Sequence, residues 1–392
     1  MSNISYIEKL LDGVEVEWKP LGEVARFING RAYKKPELLE QGKYPVLRVG
    51  NFFTNENWYY SDLELDEDKY CDNGDLLYAW SASFGPRIWE GGKVIYHYHI
   101  WKVIPNVNQV LKKFLFYLLE WDTKALQGEH ATGSTMMHVS KGAIESRLVP
   151  IPCPDNPEKS LAVQAEIVRI LDAFTAMTAE LTAELTAELN LRKKQYNYYR
   201  EKLLASELPS SKTATLGEVL DMRAGRHIKA KDISAIKNTE HKYICFGGNG
   251  SRGFVQAHSH DGDYALIGRQ GALCGNVKRA TGKFYATEHA VVCTPKEEID
   301  IDWVFHMLTF MNLNQYKSQS AQPGLAVGNL ANLAINVPPI SVQKKIAKIL
   351  NKFDTLTTSL QEGLPREIEL RQKQYEYYRD LLLSFPKSDE AA

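Results

Sequence analysis

No run of about 18 consecutive apolar residues occurs in the 392-residue chain, and Glu8 and Lys9 interrupt the apolar stretch of its first eleven residues. A membrane-spanning helix and a secretory leader are therefore not expected, and the expected setting is the cytoplasm. Cysteine is scarce: Cys71, Cys153, Cys245, Cys274 and Cys293 are five in all, widely spaced and without a CxxC pair. That excludes a disulfide framework or a zinc knuckle as the organising device and leaves reduced, mostly buried packing residues. Excess charge is also lacking, with 47 Lys and Arg against 48 Asp and Glu. A chain so balanced does not grip nucleic acid by bulk charge, so a basic reading surface has to be local or shared with partners. What is there is ordinary globular composition, 44% hydrophobic and 24% charged. The length accommodates two or three domains.

The organisation comes from an internal repeat. Residues 162–205 align without a gap on 341–384 with 20 identities in 44 positions. The matches include Val163-Gln164 with Val342-Gln343, Ile170-Leu171 with Ile349-Leu350, and Phe174 with Phe353. They end in RKKQYNYYREKLL from Arg192 against RQKQYEYYRDLLL from Arg371. Weaker matches extend outward. Leu21-Gly22-Glu23-Val24 and Gly30-Arg31 recur as Leu216-Gly217-Glu218-Val219 and Gly225-Arg226, Gly74-Asp75 as Gly262-Asp263, His99 as His289, and Val149-Pro150 as Val337-Pro338. Tyr6 to Leu11 also resembles Tyr199 to Leu204, so the chain is expected to open on the tail of the repeated helix, cyclic in register.

Apolar positions at Val163, Ile167, Ile170, Phe174, Met177, Leu181, Leu185, Leu189, Tyr196, Tyr199 and Leu203 alternate steps of four and three over most of the segment, the seam of a coiled coil. A 44-residue helix is about 66 Å long, more than a compact domain needs, and reads as a spacer. TAEL occurs three times in tandem from Thr178 to Leu189. Each four-residue unit shifts the seam and adds about 6 Å, which suits a ruler. Gly363 and Pro365 stand where the first copy has Glu184 and Thr186, predicting a kink or short break in the second helix.

The expected divisions are a tail of the cyclic helix at 1–11, a variable unit at 12–155, a helix at 156–205, a variable unit at 206–337 and a helix at 338–392. The variable units read as mixed α/β. Tyr44–Val49, Asp75–Trp80, Val94–Val103, Tyr243–Phe246, Tyr264–Ile267 and Ala290–Cys293 are β-rich runs, and Leu111–Trp121 and Trp303–Phe310 read as helices. From Arg223 to Lys283 eleven Lys and Arg face four Asp and Glu, an excess of seven positive charges. From Arg26 to Lys102 the balance is ten against eleven. Arg, Lys, Asn and Gln on loops are the residue types that hold phosphates and read base edges. The candidates are therefore Arg226, Asn249, Arg252, Arg269 and Gln270 in the second unit. In the first they are Arg31, Lys34, Arg48, Asn51, Ser83, Arg87 and Thr135.

No catalytic or metal constellation stands out. Gly248-Asn249-Gly250-Ser251-Arg252-Gly253 fits GxGxxG, but Phe254 to Ile267 reads as turn and strand rather than a phosphate-facing helix, so a glycine-rich hairpin is expected. Asn336-Val337-Pro338-Pro339 differs from the adenine-methyltransferase motif by the inserted Val337 and by Ile340 in place of an aromatic. His97 with His99 and His258 with His260 have strand spacing but lack further ligands, so ordinary surface or hydrogen-bonded histidines are expected rather than a metal site.

Two variable units alternating with two copies of a long helix resemble the specificity (S) subunit of type I restriction-modification enzymes. LGEV with GR, Gly-Asp before a strand, and Val-Pro leading into VQ-x2-I-x2-IL carry the resemblance, which spans essentially the whole chain. TAEL and RKKQYNYYR look most like the type IC branch. The resemblance implies two globular target recognition domains joined by two long antiparallel coiled-coil helices, an internal pseudo-two-fold repeat. Each domain would read one half of a split, asymmetric site in double-stranded DNA. The helices would space the domains and dock two methyltransferase subunits, with restriction motor-nuclease subunits joining for cleavage. S-adenosylmethionine, ATP and Mg would be held by those partners, and this chain would bind no cofactor and catalyse nothing itself. The alternatives are a coiled-coil scaffold with protein-binding globular ends and an enzyme using the glycine-rich loop.

Overall fold

A computed structural model describes residue 11 and residues 13–386, apart from 54, 82, 130–137, 206–209, 320–322, 360 and 361. The expected helical tail at 1–10 therefore lies outside the described residues. Leu11 falls within them, buried in the first core. The chain divides into two compact units, residues 1–182 with 370–392, and residues 183–369.

In the first unit, β1 (Val16–Pro20) pairs antiparallel with β10 (Leu148–Pro152), joining the two ends of the variable region. Between them stand β2 (Ala25–Asn29), β3 (Tyr44–Leu47), β4 (Tyr59–Ser61), β5 (Tyr70–Cys71), β6 (Leu76–Ser81), β7 (Ser83–Ile88), β8 (Val94–Tyr96) and β9 (Ile100–Pro105). They form two four-stranded sheets, β2-β9-β6-β7 and β4-β3-β8-β5. Strand β6 is buried on both faces because it separates two cores. Leu76 and Tyr78 pack with Phe114 and Leu115, whereas Leu77 and Ala79 pack with Phe52, Tyr96 and Ile100. The helices are α1 (Leu21–Val24), α2 (Lys112–Glu129), α3 (Lys141–Glu145) and the 49-residue α4 (Pro157–Ala205), whose remainder from Ala183 belongs to the second unit.

The second unit repeats this plan. β11 (Lys212–Thr215) closes on β20 (Ala334–Val337). β12 (Leu220–Ala224), β13 (Tyr243–Gly247), β14 (Gly250–Val255), β15 (His260–Asp261), β16 (Tyr264–Gly268), β17 (Val277–Ala280), β18 (Lys283–Ala286) and β19 (Ala290–Pro295) lie between. Their orders, β12-β19-β16-β17 and β14-β13-β18-β15, match the first unit strand for strand. Helices α5 (Leu216–Val219), α6 (Ile301–Phe310), α7 (Val327–Ala331), α8 (Ile340–Thr358) and α9 (Leu364–Leu383) follow. Helices α8 and α9 are separate. The interruption falls at the expected position, and a Cβ on Gly363 would stand 2.4 Å from the Thr355 carbonyl oxygen.

The repeated motifs have structural causes. LGEV forms a one-turn helix in each unit, with Leu21 and Val24, or Leu216 and Val219, buried. Gly30 and Gly225 let two strands touch, since a Cβ there would stand 2.2 Å from the carbonyl oxygen of Tyr96 or Ala286. The glutamine of VQ ties the long helix to the variable region. Gln164, fully buried, accepts from the Leu111 N–H at 2.9 Å and donates to the Gln109 carbonyl at 2.8 Å. Gln343 likewise accepts from Asp300 N–H at 2.9 Å and donates to the Pro338 carbonyl at 2.8 Å. Buried amides persist only when so satisfied. The segments after Pro105 and Pro295 are thereby held against α4 and α8.

Two β-rich runs resolve differently from the expectation. Val94–Val103 is two strands in two sheets, because His97-Tyr98-His99 turns the chain from β8 into β9. Tyr44–Val49 ends at Leu47 and passes into a helical turn, Val49–Phe53, which buries Phe52.

Candidate nucleic-acid interface

In each unit the turn between the two sheets lies against two neighbouring segments. In the second unit this turn is Thr287-Glu288-His289. The Thr287 N–H donates to the Phe246 carbonyl at the end of β13, and the Arg269 N–H, just past β16, donates to the His289 carbonyl at 2.8 Å. Gly248, Asn249, Arg252, Gln270, Gly271 and His289 line a concavity of about 400 Å³ there. Three of the five residues singled out in this half thus converge on one hollow. His289 completes it; its recurrence opposite His99 was its only signal in the sequence.

The glycine-rich segment is a hairpin, with Gly247 paired to Gly250. Its glycines make room for the arginine: a Cβ on Gly247 would stand 2.4 Å from Arg252 Cδ. Asn249 Oδ1 accepts from Asn276 Nδ2 at 3.1 Å, which fixes the hairpin tip. Arg269 is half-buried at the rim and Arg226 is exposed. Among the described residues none of Arg226, Arg252 and Arg269 is ion-paired, so these three remain available to an anionic partner, whereas Arg223 and Arg279 pair with Asp221 and Asp302. Beside it, His227 Nδ1 and His289 Nε2 lie 2.9 and 3.3 Å from Glu288 Oε1.

In the first unit most of the singled-out side chains are engaged internally. Arg31 holds Glu37 with two bonds of 3.0 and 2.8 Å. That pairing keeps the Glu37 carboxyl well below the usual carboxylate range, with help from the Lys34 N–H. Arg48 lies over the Tyr59 ring at 4.3 Å, and Arg87, exposed, near the Phe52 ring at 5.7 Å. Asn51 Nδ2 donates to the carbonyls of Asn55 and Asn57 and shapes its own loop. Lys34 is exposed, Ser83 stands on β7, and Thr135 lies outside the described residues. Seen from these residues alone, no common hollow emerges.

A different group gathers at the inter-sheet turn of this unit. Trp80 is half-buried, with its Nε1–H donating to the Tyr98 carbonyl at 2.9 Å. Its ring stacks on Trp101 at 5.6 Å, meets His99 edge-on at 5.0 Å, and lies 5.9 Å from His138. Burial, then repulsion by His99 and Arg48, pushes the His97 imidazole down to about 4. His99 is lowered as well, by burial and then by His138. At neutral pH these rings are uncharged, each with one donor and one acceptor nitrogen.

All five cysteines are buried and free. Among the described residues, no group of three or more His, Cys, Asp or Glu is arranged to hold a metal ion, and no helix is long and apolar enough to cross a membrane.

The family profile described as type I restriction modification DNA specificity domain matches residues 13–191 and 210–370. The Escherichia coli type I restriction enzyme EcoprrI specificity subunit is 49% identical, covering 92% of this chain and 93% of its own. The Escherichia coli EcoR124I/EcoR124II specificity subunit is 36% identical with 99% of both chains covered. Among solved structures, a chain from a study of complex assembly and conformational transition of the type I R-M system superposes with a TM-score of 0.66. It is 16% identical, with 94% of this chain and 97% of that one covered. The S subunit from M. genitalium superposes with a TM-score of 0.52 at 16% identity, covering 96% and 98%. At such identities the superpositions speak for the fold.

Proposed function

Because the chain belongs to the specificity subunits of type I restriction-modification systems, we propose that its two α/β units are target recognition domains, residues 12–155 and 206–337, each reading one half of a split, asymmetric DNA site. The chain is the DNA-recognising component and is non-catalytic, the catalytic activities belonging to partner subunits. The observation that carries the bipartite reading is the duplication itself. Two sheet pairs of identical strand order, each held through a buried glutamine, supply two equivalent readers whose reading surfaces carry different side chains. Equivalent scaffolds with unlike surfaces fit two half-sites of unlike sequence.

The helices at 156–205 and 338–392, with the tail at 1–11, are assigned to spacing and to docking two methyltransferase subunits. Leu191 and Tyr198 on the first copy are 60% and 58% exposed, and their equivalents Leu370 and Tyr377 on the second are 41% and 64% exposed. Seven residues apart, the members of each pair share a helix face. The same apolar patch thus occurs once per copy, which supports two equivalent partners. TAEL and RKKQYNYYR support the type IC branch. S-adenosylmethionine, ATP and Mg are assigned to the methyltransferase and motor-nuclease subunits, and the assembly to the cytoplasm.

The test is site selection from random duplex DNA by the complex assembled with its methyltransferase subunits. An asymmetric two-part motif with a fixed gap is expected. Selection of one continuous motif, or of none, contradicts the reading.

A further inference from the structure

Backbone hydrogen bonds place the two units in residue-by-residue correspondence, independently of side-chain similarity. The Trp80 N–H donates to the His99 carbonyl at 3.1 Å, and the Val139 N–H to the Trp80 carbonyl at 3.1 Å. The Arg269 N–H donates to the His289 carbonyl at 2.8 Å, and the Leu325 N–H to the Arg269 carbonyl at 2.9 Å. Ser81 bridges His138 as Gln270 bridges Gly324. Trp80, Ser81, His99 and His138 therefore occupy the backbone positions of Arg269, Gln270, His289 and Gly324. Where the second unit has a hollow lined by Arg252, Gln270 and His289, the first has a cluster of rings.

We propose that the first unit reads its half-site with Trp80, His99 and His138, through ring and imidazole edges, at the backbone positions that Arg269, His289 and Gly324 hold in the second unit beside Arg252 and Gln270. The proposal rests on the chain reading DNA, as argued above, and assigns that reading to residues. Three observations favour it over the arginines of the first unit. Arg31 is bound twice to Glu37, and Arg48 and Arg87 lie against aromatic rings. The Trp80 ring is held by one hydrogen bond and by rings on several sides, so little freedom is lost when it meets a ligand. His138 is exposed at the edge of the cluster and free to approach a groove. The neutral His99 imidazole can hydrogen-bond to base edges, and the Trp80 ring, whose Nε1–H already donates to the Tyr98 carbonyl, can make apolar contact with a thymine methyl, both without releasing condensed counterions. The first unit would thus contribute sequence preference with little salt dependence, and the second would carry the electrostatic share.

The assay is binding of a cognate duplex by the complex assembled with methyltransferase subunits, at several salt concentrations, together with mapping of methylated sites. Because Trp80 packs on Trp101, the informative variants are His138→Ala, His99→Gln and the ring-preserving Trp80→Phe. Each is expected to weaken cognate binding at least tenfold and to relax sequence preference in one half-site alone. The slope of log K against log salt should stay as in the parent for His99→Gln and Trp80→Phe, whereas Arg252→Ala lowers it. Binding within twofold of the parent by His138→Ala and His99→Gln, with the same sites methylated, overturns the proposal while leaving the bipartite reading intact. Failure of the parent complex to select any two-part site overturns that reading, and this assignment with it.

Discussion

Phe174 stacks on Tyr378 with ring centroids 5.3 Å apart and planes 6° apart, joining the head of the first helical copy to the tail of the second. Phe353 and Tyr199, the equivalent residues of the other copies, stack at 5.6 Å and 23°. Each unit is therefore built from the start of one copy and the end of the other. Truncating one ring in either pair removes contact area and the stacking preference. Phe174→Ala is expected to cost about 2 kcal/mol, with a coupling to Tyr378→Ala of about 1 kcal/mol. A double-mutant cycle in urea measures both, and additive losses would contradict a direct stack.

Gln164 and Gln343 each satisfy backbone groups at the entry to the helix that follows. Gln164→Leu is nearly the same size but leaves the Leu111 N–H and Gln109 carbonyl without these partners. A loss of about 3 kcal/mol is expected. Gln164→Glu, which keeps the acceptor and loses the donor, should also destabilise. Denaturant unfolding of the two variants tests this, and an unchanged midpoint for Gln164→Leu counts against the clamp.

His306 is expected to contribute to the acid sensitivity of the second unit. It is fully buried, donates from Nε2 to Asn351 Oδ1 at 2.7 Å and accepts at Nδ1 from the Tyr196 hydroxyl at 3.2 Å. Burial pushes its pKa down to about 4. The unfolded chain takes up a proton near pH 6.5 that the folded chain refuses. Stability is thus complete above about pH 6.5 and declines as pH falls toward 4, by on the order of 2 kcal/mol at pH 5. Melting temperature followed from pH 7.5 to 5 should fall, and His306→Gln should flatten that fall. An equal slope in the variant would assign the acid sensitivity elsewhere.

The exposed pairs Leu191 with Tyr198 and Leu370 with Tyr377 are expected to serve equivalent partners. Tyr198→Ala should lower the affinity of one methyltransferase subunit at least tenfold, and the double variant with Tyr377→Ala that of both. Native mass spectrometry of the assembly reads this as a shift from two bound subunits to one and then none. Two retained subunits in the double variant would contradict the docking assignment.

Much of this architecture was legible because the repeat is duplicated in sequence. LGEV, GR and VQ each mark a contact that the fold makes twice, and duplication distinguishes such contacts from chance. The interruption between α8 and α9 was legible because glycine and proline alter the backbone locally. His97-Tyr98-His99 was harder. It joins two strands of different sheets, and a continuous β-rich run does not reveal where a chain changes partners. The proposed reading surface divides along the same line. Asn249, Arg252 and Gln270 converge and were found through loop chemistry and local charge. Arg31 and Arg48 were engaged by Glu37 and Tyr59, and only the folded backbone brings Trp80, His99 and His138 together. Local composition reports which side chains suit DNA. It does not report which have already been occupied.

The most direct test of the account is deletion of one TAEL unit, Thr182 to Leu185, from the assembled complex, followed by sequencing of methylated genomic sites. Four residues remove about 6 Å of helix, and B-DNA rises about 3.4 Å per base pair. The predicted result is a gap shorter by one or two base pairs between two half-sites whose sequences are unchanged. An unaltered gap, or altered half-site sequences with the gap retained, would contradict a helical ruler holding two independent readers.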